Sequence, residues 1–400
     1  MTEYDLVLAG GEVLDDAAGL SGVAHVAVAG GRIAAIGSDV DLTAAERVLD
    51  VRGKLVTPGL IDLHAHVLSG VNRNGADPDL VGVLSGVTTV VDAGSAGSAT
   101  FQAFPSWVAP AARTDVVPFL HVGQTGLATS PDISSATDVK IEDTRRVLLD
   151  NPDLIAGLKV RMVSPAVEIF GNRLLRDAKR LAREAGVPVM VHVGDILGRA
   201  DPRLGREVLD QLDEGDILTH IYTPHPGGVL DRDGKVFPEL WAALERGVHI
   251  DLGHGRRNCS FDVARRVLDQ GVPLHSISTD ITRPGRTDLV GSLPEIMSRF
   301  FELGFSLPEI ITKCTTGPAG ALGRADTAGR LAVGRVADIS VLDLRRGDWA
   351  VTDSVGEALP ISHAFVPVAT VRKGALISPD FGPHPWGWEP GPRSPKEAGR

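Results

Sequence analysis

Cysteine is almost missing from this chain. Cys259 and Cys314 are the only two among 400 residues, so no disulfide framework and no Cys-x-x-Cys metal pair is available, and both read as small buried side chains. No stretch approaches the 18 or so uninterrupted apolar residues of a membrane-spanning helix. The first residues, MTEYDLVLAGGEVLDD, are acidic where a secretory signal would be positive, which predicts a cytoplasmic protein. Lys and Arg form no run and the formal net charge is -11, arguing against nucleic acid and anionic membranes as partners. A local arginine can still hold a small anion. With 43% hydrophobic and 23% charged residues, the composition is that of a folded protein with a sizeable core.

Residues 4–56 alternate short β-rich runs with glycine turns, as in YDLVLAGGEVLD and VAHVAVAGGRIAAIG, a pattern of hairpins. The same texture returns after residue 328 in GRLAVGRVADISVLDL and AFVPVATVRKGALI. Because these segments flank everything else, residues 1–56 and 328–379 are expected to pair into one composite β-sandwich domain. In residues 57–327, apolar runs recur near 60–67, 87–94, 116–124, 154–162, 187–195, 216–222, 248–255 and 275–282. Helical periodicity falls between them, at 141–150, 168–186, 236–246, 261–270 and 292–304.

Apolar strands alternating with helices indicate an α/β fold with a parallel sheet, and eight of them suffice to close a (β/α)8 TIM barrel. A doubly wound open sheet would want a Gly-rich phosphate loop after its first strand, and GLIDLHAHV has none. The tail, residues 380–400, is dense in Pro and Gly. It is expected to be irregular or mobile, or to lie along a neighbouring subunit through Trp386 and Trp388.

The chemistry concentrates at the ends of the apolar runs. In TPGLIDLHAH, His64 and His66 are two apart, so in a strand both imidazoles point to one side and can reach one metal ion. Lys159 lies in LIAGLKVRM, His192 in VPVMVHVGD, His220 in DILTHIY and Asp280 in HSISTDIT. A buried charge is costly unless paired or metal-bound, so one polar residue per strand end points to a shared site. Arg161, two residues after Lys159, shares its strand face and could hold a carboxylate. Arg256 and Arg283 follow the last two strand ends and could do the same. His254 in IDLGHGRRN either faces a substrate or belongs to a close backbone approach, and His121 and Gln124 end the third run. His225 reads as loop structure, and His25, His249, His275, His363 and His384 as structural or exposed.

Taken together, the PGLIDLHAH opening, strand lysine, two further strand histidines, late aspartate and split β-domain resemble the amidohydrolase superfamily of metal-dependent hydrolases. The resemblance implies two divalent metal ions, most often zinc, held by His64, His66, Lys159, His192, His220 and Asp280. Lys159 would bridge them as a carbamate formed with CO2, since an ammonium has no lone pair to offer. Asp280 would be the catalytic acid and base, working on a metal-bridging hydroxide.

The stretches GLKVRM, DILTHIYTPHPGG and GVHIDLGHG look most like a deacetylase-type subgroup, implying hydrolysis of an amide or ester in a small acylated acid by a homo-oligomer. The chain departs from that subgroup in Ile281-Thr282-Arg283-Pro284, where relatives tend to place His or Asn. It also lacks a cysteine near Asp92-Ala93-Gly94-Ser95, unlike D-aminoacylases that use one as a ligand. The alternatives are a cyclic-amide hydrolase of the dihydroorotase or hydantoinase kind, and a non-catalytic structural relative.

Overall fold

Seven short runs of apolar, largely β-branched residues form a parallel sheet in the computed structural model, which describes residues 2–380. They are β6 (Leu60–Ala65), β7 (Val87–Gly97), β8 (Asp115–His121), β9 (Gly157–Arg161), β10 (Val189–His192), β11 (Ile217–Thr219) and β12 (His249–Asp251), each hydrogen-bonded to the next in sequence. All residues of β6, β7, β10 and β11 are buried, as expected for strands covered on both faces.

The eighth expected strand is not regular. Residues 275–281 make only two isolated parallel bridges, Asp251 with Ser276 and Ala65 with Ile281, yet these lie on β12 and β6 and so close the barrel. A regular ladder is interrupted because Asp280 adopts φ 48, a left-handed conformation outside the extended range.

Helices cover the barrel where the periodicity placed them: Ile141–Asp150, Pro238–Glu245, Phe261–Asp269 and Leu293–Glu302. The run 168–186 divides into Ala166–Phe170 and Arg173–Ala185, separated at Gly171. Arg173–Ala185 buries Leu174, Leu175, Ala178, Leu181 and Ala182 at helical spacing and ends at Gly186. Ser260 and Ser292 start their helices by accepting the backbone N–H of Val263 and Glu295. None of the helices among the described residues is long and apolar enough to cross a membrane.

Both chain ends build one connected eight-stranded sheet. Its strands are β1 (Leu6–Asp15), β2 (Leu20–Ala29), β3 (Arg32–Gly37), β4 (Val48–Asp50), β5 (Leu55–Pro58), β13 (Ile339–Thr352), β14 (Ala358–Arg372) and β15 (Ala375–Ile377). The ends meet where β5 pairs antiparallel with β13, Val56 opposite Val341. The distal part of the β13–β14 hairpin leans on the barrel, packing Val351, Leu359 and Ile361 against Phe261. Residues 381–400, including His384, Trp386 and Trp388, lie outside the described part.

Candidate metal centre

Six side chains from five different barrel elements meet at the C-terminal ends of the strands, where barrels of this kind carry their chemistry. His64 and His66 leave the end of β6, and their Nε2 atoms stand 3.5 and 3.0 Å from Asp280 Oδ1. The three donor groups lie within 4.8 Å of one another, close enough to share one ion. Lys159 on β9 brings Nζ to 3.2 Å from His64 Nε2, with Met190 Sδ at 3.3 Å. His192 ends β10, and His220 follows β11. Their ring centroids are 4.1 Å apart, and the His220 ring is 4.9 Å from that of His64.

Burial sets the electrostatics. It drives the imidazoles of His64, His192 and His220 well below their ordinary pKa, so their ring nitrogens are available as lone-pair donors. Burial likewise pushes the Lys159 amine down to about 7, although Asp280 and Asp251 pull the other way. For Asp280 burial alone would raise the pKa, but His64, His66 and His220 outweigh it and hold the carboxyl well below the usual range. Nε2 of His192 and Nε2 of His220 are buried without a hydrogen-bond partner among the described residues. Buried polar atoms are ordinarily satisfied, and neutral imidazole with carboxylate is a donor set that suits zinc.

A layer of hydrogen bonds orients these groups. His66 Nδ1 meets Ser95 Oγ at 3.0 Å, and Asp92 accepts the backbone N–H groups of Ser95 (2.6 Å) and Val67 (2.7 Å). His64 Nδ1 meets Thr219 Oγ1 at 2.9 Å, while His220 Nδ1 donates to the Gly253 carbonyl at 2.6 Å. Asn258 Nδ2 donates to Asp280 Oδ2 at 3.1 Å. Two glycines are required here. A Cβ on Gly94 would come within 2.5 Å of the Lys159 Cβ, and one on Gly255 within 2.3 Å of Asp280 Oδ2.

The outlying candidates divide. Arg161 Nη1 donates to Asp132 Oδ1 at 2.6 Å, and His121 Nε2 faces Asp132 Oδ2 at 3.1 Å, so one buried carboxylate ties two predicted residues together. Arg161 remains partly open to the mouth, 20% exposed at its side chain. His254 is fully buried; its Nδ1 donates to the Gly255 carbonyl and its Nε2 lies 3.3 Å from Arg299 Nη1, so it faces protein. Arg256 is exposed and paired with Asp288. Arg283 is exposed as well, at the start of a loop anchored by its backbone N–H on the Asn74 carbonyl. Gln124 donates to the Thr137 carbonyl, and His225 to that of Arg257.

Asp132 had no signal in the sequence, being one polar residue in a polar loop. Thr219 and Asp251 did: each is a polar residue inside an apolar run, the same mark that singled out Lys159. A separate cleft of about 640 Å³ opens at the opposite end of the barrel, lined by Lys179, Asp216 and Arg324, far along the chain's topology from these six residues.

Residues 55–377 match the model of the amidohydrolase family, and the chain belongs to that family. It is a hydrolase of this class and has the TIM barrel of its structural neighbours. Deacetylase Atu3266 of Agrobacterium fabrum is 33% identical over 340 residues, covering 84% of this chain and 82% of that protein. A crystal structure of an adenine deaminase superposes with a TM-score of 0.85 at 29% identity, covering 94% of this chain and 100% of that one. A dihydroorotase structure gives a TM-score of 0.83 at 30% identity, covering 94% of this chain and 99% of that one.

Proposed function

We propose that the protein is a binuclear metal-dependent deacetylase that hydrolyses an amide or ester in a small acylated acid bearing a carboxylate. The observation that carries the reading is the convergence of His64, His66, Lys159, His192, His220 and Asp280 in one largely buried cluster, with two histidine Nε2 atoms left unpartnered among the described residues. In this reading His64, His66 and Asp280 would hold one ion and His192 and His220 the other. Lys159, once its amine had added CO2 and lost a proton, would supply that pair with an anion carrying two donor oxygens. When bound, a pair of divalent ions, most often zinc, polarises the carbonyl and lowers the pKa of water.

Asp280 takes the proton of the attacking water and passes it to the leaving nitrogen or oxygen. Its depressed pKa and the hydrogen bond from Asn258 keep it ionised and aimed for that task. Arg161, fixed from behind by Asp132, has guanidinium N–H groups left for a substrate carboxylate. Arg256 and Arg283 are weaker supports for substrate, being exposed at the rim, and His254 supports the wall. The protein so read works in the cytoplasm as a homo-oligomer.

A second reading, hydrolysis of a cyclic amide, is favoured by the likeness to a dihydroorotase. Assaying N-acetyl amino acids and O-acetyl hydroxy acids beside dihydroorotate and hydantoins separates the two. Turnover confined to the rings would overturn the deacetylase reading. Metal analysis of the purified protein, expected to give two divalent ions per chain removed by chelator together with activity, tests what both readings share.

A further inference from the structure

The segment that carries Asp280 has almost no β-ladder, and its side chains fasten it instead. Ser276 Oγ donates to Asp251 Oδ1 at 2.6 Å and Ser278 Oγ to Asp251 Oδ2 at 2.8 Å. Thr279 Oγ1 donates to Asp62 Oδ2 at 2.5 Å. A third hydroxyl reaches Asp251 from the neighbouring strand: Thr219 Oγ1 donates to Oδ2 at 2.7 Å. Asp251 is fully buried, yet these three hydroxyls surround it.

Proton counting then fixes a tautomer. A hydroxyl has one proton to give. Ser278 Oγ already accepts the backbone N–H of Gly253 at 2.9 Å and turns its proton toward Asp251, as Ser276 Oγ does. Thr219 does the same, leaving only oxygen lone pairs for His64 Nδ1, which lies 2.9 Å away. His64 must therefore carry its proton on Nδ1, and its bare Nε2 faces Lys159 and Asp280. Asp251 is 3.7 Å from His64 Nδ1, too far for a hydrogen bond of its own, so Thr219 is the link.

Resting on the metal-centre reading above, we propose that Thr219 and Asp251 are positioning residues: together they lock His64 in the Nδ1–H tautomer that offers Nε2 to a metal ion. The same carboxylate ties that ligand on β6 to the segment that bears Asp280. Second-layer partners of this kind typically change metal affinity by roughly 10- to 100-fold.

The test uses full-length protein. Nitrogen-15 NMR of histidine-labelled, metal-free wild type is expected to show His64 as the Nδ1–H tautomer, and an Nε2–H form would overturn the proposal. In competition titrations with zinc, Thr219→Val is expected to bind roughly 10- to 100-fold more weakly. Thr219→Ser, which keeps the hydroxyl, is expected to restore most of the affinity. A folded Thr219→Val protein binding zinc as tightly as wild type would also overturn it. Should wild type bind no divalent ion at all, the metal reading fails, while the tautomer measurement on metal-free protein still decides this one.

Discussion

Two interiors of opposite chemistry are buried in the same chain. The core of the end-built sheet is aliphatic, with Leu8, Val26, Val28, Ile339, Val341 and Val371 fully buried. The barrel mouth buries His64, Lys159, Asp92 and Asp251 among similar strands and leaves Asp280 beside them partly exposed. Apolar burial stabilises by roughly 25 cal/mol per Å² and needs no particular partner. Buried charge is tolerated only where hydrogen bonds or counter-charges compensate, and removing one partner strands the other. The first interior is therefore a source of stability. The second draws on that stability to hold reactive groups, which is the usual relation between scaffold and site.

Substituting each interior in turn sharpens that contrast. The largest effect is expected from Lys159→Met, which should abolish turnover and second-metal binding. The metal-free variant should melt no lower than metal-free wild type, since an apolar chain replaces a buried amine; calorimetry showing a clear loss would mean that Lys159 is a structural residue. Next comes Asp280→Asn, expected to lower kcat by roughly 10²- to 10⁴-fold, the range of positioned proton transfer, while metal analysis still finds ions bound. Retention of full kcat would remove Asp280 from its assigned role.

Leu8→Ala probes the other interior. It should lower unfolding free energy by about 2–5 kcal/mol in denaturant titrations, with kcat per folded molecule unchanged. A matching loss of kcat would dissolve the division between scaffold and site. The smallest effect is expected from Arg161→Met, which should raise KM for a carboxylate substrate by roughly 10- to 100-fold with a lesser change in kcat, as for a lost charged hydrogen bond of about 1.5–3 kcal/mol. Equal KM values for charged and uncharged substrates in wild type would show that Arg161 does not read the carboxylate.

Particular elements show how far pattern reading reaches. The runs around His64, Lys159, His192 and His220 were legible because strand burial excludes polar residues unless something holds them, so each exception stood out. The helices were legible from their period; Arg173–Ala185 differs from the expected run only because Gly171 interrupts it. The eighth strand was legible as an apolar run but not as an irregular one, since the left-handed turn at Asp280 is imposed by contacts with Asp62 and β6 rather than by local propensity. Arg161 was visible and its partner Asp132 was not. His254 was visible as a histidine at a strand end, but whether its ring faced solvent or Arg299 depended on a helix 45 residues on.

Sequence by itself determined the alternation of apolar strands and helices, the hairpin texture of both ends and the inventory of metal-type donors, because period and burial preference are local properties of a chain. Tertiary structure alone decided which donors meet, which arginine is already paired and which ring nitrogen of His64 carries the proton. Those depend on atoms apart in the chain being brought within hydrogen-bond distance, as Thr219 is to His64, 155 residues away, and Asp251 to Ser276 and Ser278 on the segment that bears Asp280.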